Sequence, residues 1–267
     1  MVDAPTTHPF PSDDALCEQC GYPIKGLSPD ASCPECGQAV AESSPAKRTL
    51  DLAGHRLTLK LYTRTARQFL LSPRQSFRSV AVAGDGLMAE QFLFRNSFLA
   101  GLIISAIVFL GSAFIIPPRF HRIPLEGAFI LFLVTAVAIS ILTYIEMLGV
   151  TAFSRRRLWR VPFPLAQRVC SLASVGWLPG AVVLGLGIWM IQAFCVGRPW
   201  FDQLLGLVRV GWLVYAGLFV FSFLWFETLV WIGVRQVRYA NSWPPDPNND
   251  ASEATDPVPK ERYLPPG

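Results

Sequence analysis

The chain of 267 residues is 52% hydrophobic and only 16% charged, whereas an average soluble domain is about a quarter charged. The long apolar runs lie between residues 98 and 234 and both ends are polar, which excludes one large water-soluble core and predicts a membrane protein with polar termini. The net charge of +4 is too small to indicate a nucleic-acid-binding protein by itself.

The N-terminal region contains a cysteine pattern typical of a metal site. Residues 1–16 are rich in Pro, Thr, Ser and Asp and are predicted to be disordered. Residues 17–38 follow with a C-x2-C-x12-C-x2-C pattern, in which Gly21 and Gly37 directly follow the pairs and suit tight turns. Two such pairs supply the tetrahedral thiolate set of a structural zinc site. The predicted ligands of one Zn²⁺ ion are Cys17, Cys20, Cys33 and Cys36.

The stretch CEQCGYPIKGL…CPECG resembles the small zinc ribbons at the N-termini of many bacterial integral membrane proteins. The resemblance covers residues 17–37 and implies the same four zinc ligands, two short β-knuckles around the ion, and a fold stabilised mainly by the metal. An iron site of the rubredoxin type would use the same ligands, and a redox-active CxxC is another alternative. Two pairs together favour metal ligation over redox chemistry.

The surroundings of the cysteines are acidic. Between Asp13 and Glu42 there are six acidic residues and one basic residue, Lys25. A tetrathiolate centre adds further negative charge, and nucleic acid would be repelled by such a surface. We therefore expect a protein partner at the zinc ribbon and no nucleic acid.

Residues 39–56 are predicted to form a linker, and residues 57–96 to form basic juxtamembrane helices. The first helix has one apolar and one basic face, which is typical of a helix that lies in the membrane interface. Packing against neighbouring helices is the alternative. "SPRQ" predicts a second short helix, capped by Ser72 and running to about Ala83, and a third helix begins near Leu87. The apolar face contains Leu59, Tyr62, Ala66, Phe69 and Leu70, and the basic face contains Lys60, Arg64 and Arg67.

Four apolar segments within residues 97–236 are long enough to cross a bilayer, which requires about 20 residues each. The predicted fold is an all-α transmembrane four-helix bundle. Pro179 predicts a kink or a tilt in the third span, because proline lacks the backbone donor of a regular helix. The Pro-rich tail, residues 237–267, is predicted to be disordered. The predicted spans are 98–116, 127–153, 172–197 and 210–234.

The basic residues between the spans predict the orientation. Residues 47–95 contain nine Lys and Arg, the first loop contains two and the second loop contains five. Because short cytoplasmic loops are enriched in Lys and Arg, this alternation predicts a multi-pass inner-membrane protein with both termini in the cytoplasm. Cytosolic thiols stay reduced, which favours metal ligation over disulfides. The five basic residues of the second loop are Arg155, Arg156, Arg157, Arg160 and Arg168.

Glu146 and Glu227 are the ionisable residues that lie deep within the predicted spans. Ionisable groups at such positions are costly and are therefore functional candidates. Each precedes the next arginine by eight or nine residues, so both are expected at a similar depth, where they could form a polar site for a proton or a cation. Structural pairing with polar groups on neighbouring helices is the alternative. Cys170 and Cys195 lie in apolar runs and are predicted to act as small hydrophobic residues.

The membrane half also resembles a known family. The phrase RQFLLSPRQSFRSV, followed by several spans, resembles Yip1-like membrane proteins over about residues 65–234. This resemblance implies an integral membrane scaffold, adaptor or permease without enzyme activity. No catalytic motif accompanies the scattered His8, His55 and His121, so no enzyme is predicted. The predicted function is a scaffold that docks a protein partner through its zinc ribbon; the alternative is a small transporter or channel that uses Glu146 and Glu227.

Overall fold

The computed structural model describes residues 15–45, 48, 57–82, 87–114, 124–195 and 208–241. This part of the chain is mostly helical, and four of its helical segments are long and apolar enough to cross a membrane. The prediction of a multi-pass, all-α membrane protein is thus confirmed at the level of helix length and composition. The four segments are Ala89–Ala113, Leu125–Arg156, Phe163–Ile191 and Leu213–Val237.

The described part of the chain contains α-helices α1 to α7, numbered in chain order. They are α1 (Leu59–Leu71), α2 (Pro73–Arg78), α3 (Leu87–Phe114), α4 (Leu125–Arg156), α5 (Phe163–Ala173), α6 (Trp177–Cys195) and α7 (Val208–Val237). Two short 3-10 helices, Val40–Ser43 and Ser174–Gly176, accompany them.

The first and last spans differ from the predicted boundaries. The first membrane-length segment begins at Ala89 instead of residue 98, and α7 continues to Val237. Ala240 and Asn241 are buried, so the prediction of a disordered tail from residue 237 is wrong for 237–241. Hydrogen bonds from Asn241 to the carbonyls of Leu16 and Ser43 hold the end of this segment. The other predicted tail residues, 1–14 and 242–267, lie outside the described residues, as does most of the predicted linker.

The third span consists of α5, the 3-10 turn Ser174–Gly176 and α6. The hydrogen bonding changes from α-helical to 3-10 at Ser174–Gly176, about one turn before Pro179. Proline has no backbone N–H, so Pro179 cannot donate to the carbonyl of Val175. The span begins at Phe163, so Arg168 belongs to a helix and not to the predicted loop. The Arg168 side chain is buried and donates hydrogen bonds to the carbonyls of Ala81 and Val82 at 3.1 and 2.8 Å.

Small residues allow the membrane helices to approach closely. α3 packs against α4 and α6, and α6 packs against α7. The Ser222 hydroxyl on α7 donates a hydrogen bond of 3.0 Å to the Gly180 carbonyl on α6, and a Cβ at Gly180 would lie only 2.9 Å from the Cβ of Ser222. Such contacts between small residues are a common basis of helix association in membranes.

The first helix packs on the bundle through its predicted apolar face. Tyr62, Ala66 and Phe69 belong to the main hydrophobic core, and Lys60, Arg64 and Arg67 are exposed. Leu59 is an exception, because 75% of its surface is exposed. Thr58 caps the helix by accepting a hydrogen bond from the Leu61 N–H at 3.2 Å. The buried face of α1 therefore packs against neighbouring helices, which is the alternative to a position in the membrane interface.

The second helix is shorter than predicted. α2 ends at Arg78 and not near Ala83, and Ser72 makes no side-chain capping hydrogen bond. Pro73 occupies the first turn as predicted, and α3 begins at Leu87 as predicted. Phe77 of α2 is fully buried, so this short helix is held by core packing.

A chain of buried polar side chains links α1 to the interior of the bundle. The Tyr62 hydroxyl donates to the Asn96 amide oxygen at 2.6 Å, and the Asn96 amide nitrogen donates to the Ser174 hydroxyl at 2.8 Å. Asn96 and Ser174 are both completely buried. Unpaired polar groups are costly in an apolar interior. This series of hydrogen bonds therefore favours one relative position of α1, α3 and the 3-10 turn.

Candidate metal centre

The four predicted ligands lie together in the structure. All four sulfur atoms are within 4.8 Å of one another, and two of the separations, Cys17–Cys36 and Cys20–Cys33, are 3.6 Å. Thiolates at about 2.3 Å from a tetrahedral zinc ion are about 3.8 Å from each other. The four cysteines therefore form a site that could hold one metal ion.

Each cysteine pair begins the same kind of turn. The Cys17 N–H donates to the Tyr22 carbonyl and the Gly21 N–H to the Cys17 carbonyl, both at 2.8 Å. The second turn repeats this pattern at Cys33, where the Cys33 N–H donates to the Gln38 carbonyl. Gly21 and Gly37 adopt φ angles of 82° and 73°, a conformation that other residues adopt only at a cost. The predicted role of the two glycines therefore agrees with the structure.

The two turns are closed by isolated antiparallel bridges, Leu16 with Pro23 and Ser32 with Ala39. A separate small core, which includes Ile24 and Val40, lies beneath the cysteines. The folded unit extends from Ala15 to Ser43 and thus beyond the predicted 17–38. We call residues 15–43 the cysteine module. A core of this size is too small to stabilise a fold alone, so a bound ion would supply much of the folding free energy.

The thiols of the module have unequal acidities. Burial raises the pKa of Cys33, but hydrogen bonds from the Cys36 and Glu35 N–H groups outweigh burial and lower the pKa to about 7. Burial raises the pKa of Cys20 to about 12. Metal ions bind the thiolate form, so loading of this site must release protons.

Asn241 attaches the module to the end of α7. Its side-chain oxygen accepts a hydrogen bond from the Leu16 N–H at 3.1 Å, and its side-chain nitrogen donates to the Leu16 carbonyl at 2.8 Å and the Ser43 carbonyl at 2.9 Å. The side chain thus uses one acceptor and both donors on the backbone of the module. This arrangement fixes the start and the end of the module to one residue.

Arg48 forms a second attachment. Its guanidinium group binds both carboxylate oxygens of Glu18, at 3.0 and 2.8 Å, and donates to the carbonyls of Val80 and Gln236. Burial raises the pKa of Glu18, and the hydrogen bond and the charge of Arg48 oppose this effect. One buried arginine therefore connects the module, the segment after α2, and the end of α7.

A third contact lies at the first cysteine turn. The Arg238 guanidinium donates to the Gln19 carbonyl at 2.9 Å, and the ring of Tyr239 approaches Gly21 so closely that a Cβ there would lie 2.9 Å from it. The Arg160 N–H in turn donates to the Arg238 carbonyl at 2.8 Å. The cysteine module therefore lies at the same end of the bundle as the basic loop between α4 and α5.

The two intramembrane glutamates lie near each other. Glu146 on α4 and Glu227 on α7 lie close enough for their carboxyl groups to interact, and both lie near the buried thiol of Cys170, whose helix α5 packs against both α4 and α7. The Oε1 atom of Glu227 is buried without a hydrogen-bond partner. Two neighbouring carboxyl groups within the spans could bind a proton or a cation.

His8, His55 and His121 lie outside the described residues, and so does the side chain of Cys195. Sequence reasoning missed the roles of Asn241 and Arg48. Only the local charge of Arg48 and the amide of Asn241 were visible in the sequence, and neither signal identifies a partner far away in the chain.

Comparisons with known proteins give no relative. No protein-family model, no curated protein and no solved structure matches the chain. The resemblances to bacterial zinc ribbons and to Yip1-like proteins therefore stay predictions from short motifs.

Proposed function

We propose that the chain is a membrane scaffold or adaptor, whose cysteine module is a zinc ribbon that docks a protein partner at the cytoplasmic face of a bacterial inner membrane. The observation that carries this proposal is the attachment of the module by Asn241 and Arg48. These contacts hold one face of the module on the bundle and leave the other face exposed in a defined orientation. Zinc is the metal proposed because four thiolates form its usual closed structural site.

The proposed cytoplasmic orientation of the module is supported by the basic residues around it. The module contacts the segment after α7, which contains Arg238, and this segment contacts the loop after α4. Basic segments of this kind favour the cytoplasmic side. Reduced cytosolic thiols would then be available as ligands.

The exposed face of the module is acidic. Tyr22, Asp30 and Glu35 of the module are exposed. Aromatic residues are frequent in protein interfaces, and acidic groups select a basic counterpart by charge complementarity. The proposed partner is therefore a protein with a basic surface.

Site-specific photocrosslinking in intact membranes tests this proposal. A photoreactive phenylalanine at Tyr22 should form one discrete adduct, and this adduct should be lost in the double variant Cys17→Ser/Cys33→Ser. The same probe at Leu158, which is 67% exposed and lies outside the module, serves as the control. Absence of a metal-dependent adduct at Tyr22 would contradict the docking function.

A second candidate function is supported by the proximity of Glu146 and Glu227. Two carboxyl groups that share a membrane site are suited to proton or cation transfer. In proteoliposomes, Glu146→Gln and Glu227→Gln should abolish an ion flux that the exposed control Glu126→Gln retains. Equal flux in all three variants would exclude transport by this pair.

A further inference from the structure

A groove of about 780 Å³ lies between α1, α3 and α4. This volume is within the range of small-molecule sites, which is about 300–1,000 Å³. Neither the scaffold function nor the glutamate pair involves it. Its apolar lining includes Leu59 and Tyr62 of α1, Phe94 and Phe98 of α3, and Val137 and Ile141 of α4.

The groove opens on an exposed apolar surface of the bundle. Phe94, Phe98, Val137 and Ile141 are between 54% and 69% exposed and belong to membrane-length segments. Side chains of this kind contact acyl chains in a bilayer. The lining thus fits the hydrocarbon part of a lipid.

Two polar residues interrupt this apolar surface. Arg95 lies close enough to Tyr62 for its charge to act on the phenol, and among the described residues no carboxylate pairs with it. Ser97 also lines the groove and is only 2% exposed, yet its hydroxyl has no hydrogen-bond partner. An arginine without a carboxylate partner among the described residues and an unpaired hydroxyl are both costly in a membrane segment, so a ligand that supplies acceptors would stabilise them.

The position of Arg95 near the start of its own span suits a lipid headgroup. It lies six residues after Ala89, the start of the first span, which corresponds to about 9 Å along the helix. A long arginine side chain can extend from this depth to the headgroup region. α1 begins beside the groove at Leu59, and its positive helix end adds to the favourable field for an anion.

We propose that this groove binds one phospholipid with an anionic headgroup, with an acyl chain between α3 and α4 and the phosphate at Arg95. A second copy of the chain fits less well, because the lining residues include no Asp or Glu to pair with Arg95. Free phosphate would use Arg95 but leave the apolar lining unfilled.

Native mass spectrometry of the delipidated full-length protein tests the proposal by titration with phosphatidylglycerol and phosphatidylcholine. One phosphatidylglycerol should bind about five- to tenfold more tightly than phosphatidylcholine, as expected for one arginine near a membrane surface. Arg95→Gln should remove this preference, and Val137→Trp should weaken binding of both lipids by filling the groove.

Matched controls share the chemistry but not the site. Arg67→Gln removes an exposed charge of α1, and Val134→Trp adds the same bulk to a 61% exposed position of α4 outside the groove; both should bind lipid as the wild type does. Equal affinity for the two lipids, or a preference that survives in Arg95→Gln, would overturn the proposal. Displacement of the lipid by millimolar inorganic phosphate, or disulfide crosslinking of two chains through Val137→Cys, would assign the groove to a free anion or to a second copy instead.

Discussion

Asn241 and Leu16 exchange two hydrogen bonds although they lie 225 positions apart in the chain. The amide side chain thereby imitates the backbone of a neighbouring strand, since it accepts from the N–H and donates to the carbonyl of the same residue. Both residues are buried, so water cannot replace these bonds. The contact joins the cysteine module to the segment that follows α7.

Asn241→Ala should loosen the cysteine module. The substitution leaves the Leu16 N–H and the carbonyls of Leu16 and Ser43 without their partner, and each buried unsatisfied group costs about 1–3 kcal/mol. Hydrogen exchange should show faster exchange at Leu16 while the core of α5 stays protected. Gln19→Ala, which truncates an exposed side chain, is the control; unchanged exchange at Leu16 in Asn241→Ala would show that the amide does not hold the module.

Arg48 and Glu18 should be strongly coupled. Arg48→Met leaves the carboxylate of Glu18 largely buried without its ion partner, and removal of one partner from a buried pair costs about 3–5 kcal/mol. The double variant Arg48→Met/Glu18→Leu should be more stable than Arg48→Met alone, because no unpaired charge remains. Chemical denaturation of the four members of this cycle measures the coupling, and Arg64→Met, at an exposed position, controls for loss of positive charge. Additive effects would contradict a buried ion pair.

The metal site should be separable from the membrane bundle. Metal analysis should give about one zinc ion per chain, as one tetrathiolate site requires, and none in Cys17→Ser/Cys33→Ser. The helical circular dichroism should change little, because the small core of the module is distinct from the main core. Cys170→Ser, at a cysteine outside the cluster, should keep the metal. Wild-type protein without bound metal, or with iron, would refute the zinc assignment.

The contact between α6 and α7 should depend on the absence of a side chain at Gly180. In Gly180→Ala the new Cβ would lie 2.9 Å from the Cβ of Ser222 and 3.2 Å from its backbone, and overpacking of this kind costs about 1–3 kcal/mol. Gly217→Ala is the matched control, since nothing lies within 4 Å of its added Cβ. Thermal unfolding in detergent should show a lower Tm for the first variant only. Equal Tm values would mean that the helices move apart without cost.

Some features were predictable because their signals are local. The spacing of Cys17, Cys20, Cys33 and Cys36 predicted a metal site, and the sulfur atoms do lie together. The matched distances of Glu146 and Glu227 from the next arginine predicted a common depth, and in the structure the two carboxyl groups lie near each other. Span boundaries were less accurate, because α3 continues through a polar stretch that includes Arg95 and Asn96. Asn96 bonds with Tyr62 and Ser174, and Arg95 lines the apolar groove. Composition alone predicts neither contact.

The sequence by itself determined the number and length of the apolar segments and the grouping of the thiols. Hydrophobic transfer into a bilayer depends on the composition of each segment, and the reach of a CxxC turn depends on chain geometry. Only the tertiary structure decided that Asn241 and Arg48 anchor the module, that Arg168 is buried, and that Arg95 faces an apolar groove. These contacts depend on how the helices pack against one another. Long-range contacts of this kind produce no periodic or local pattern in the sequence.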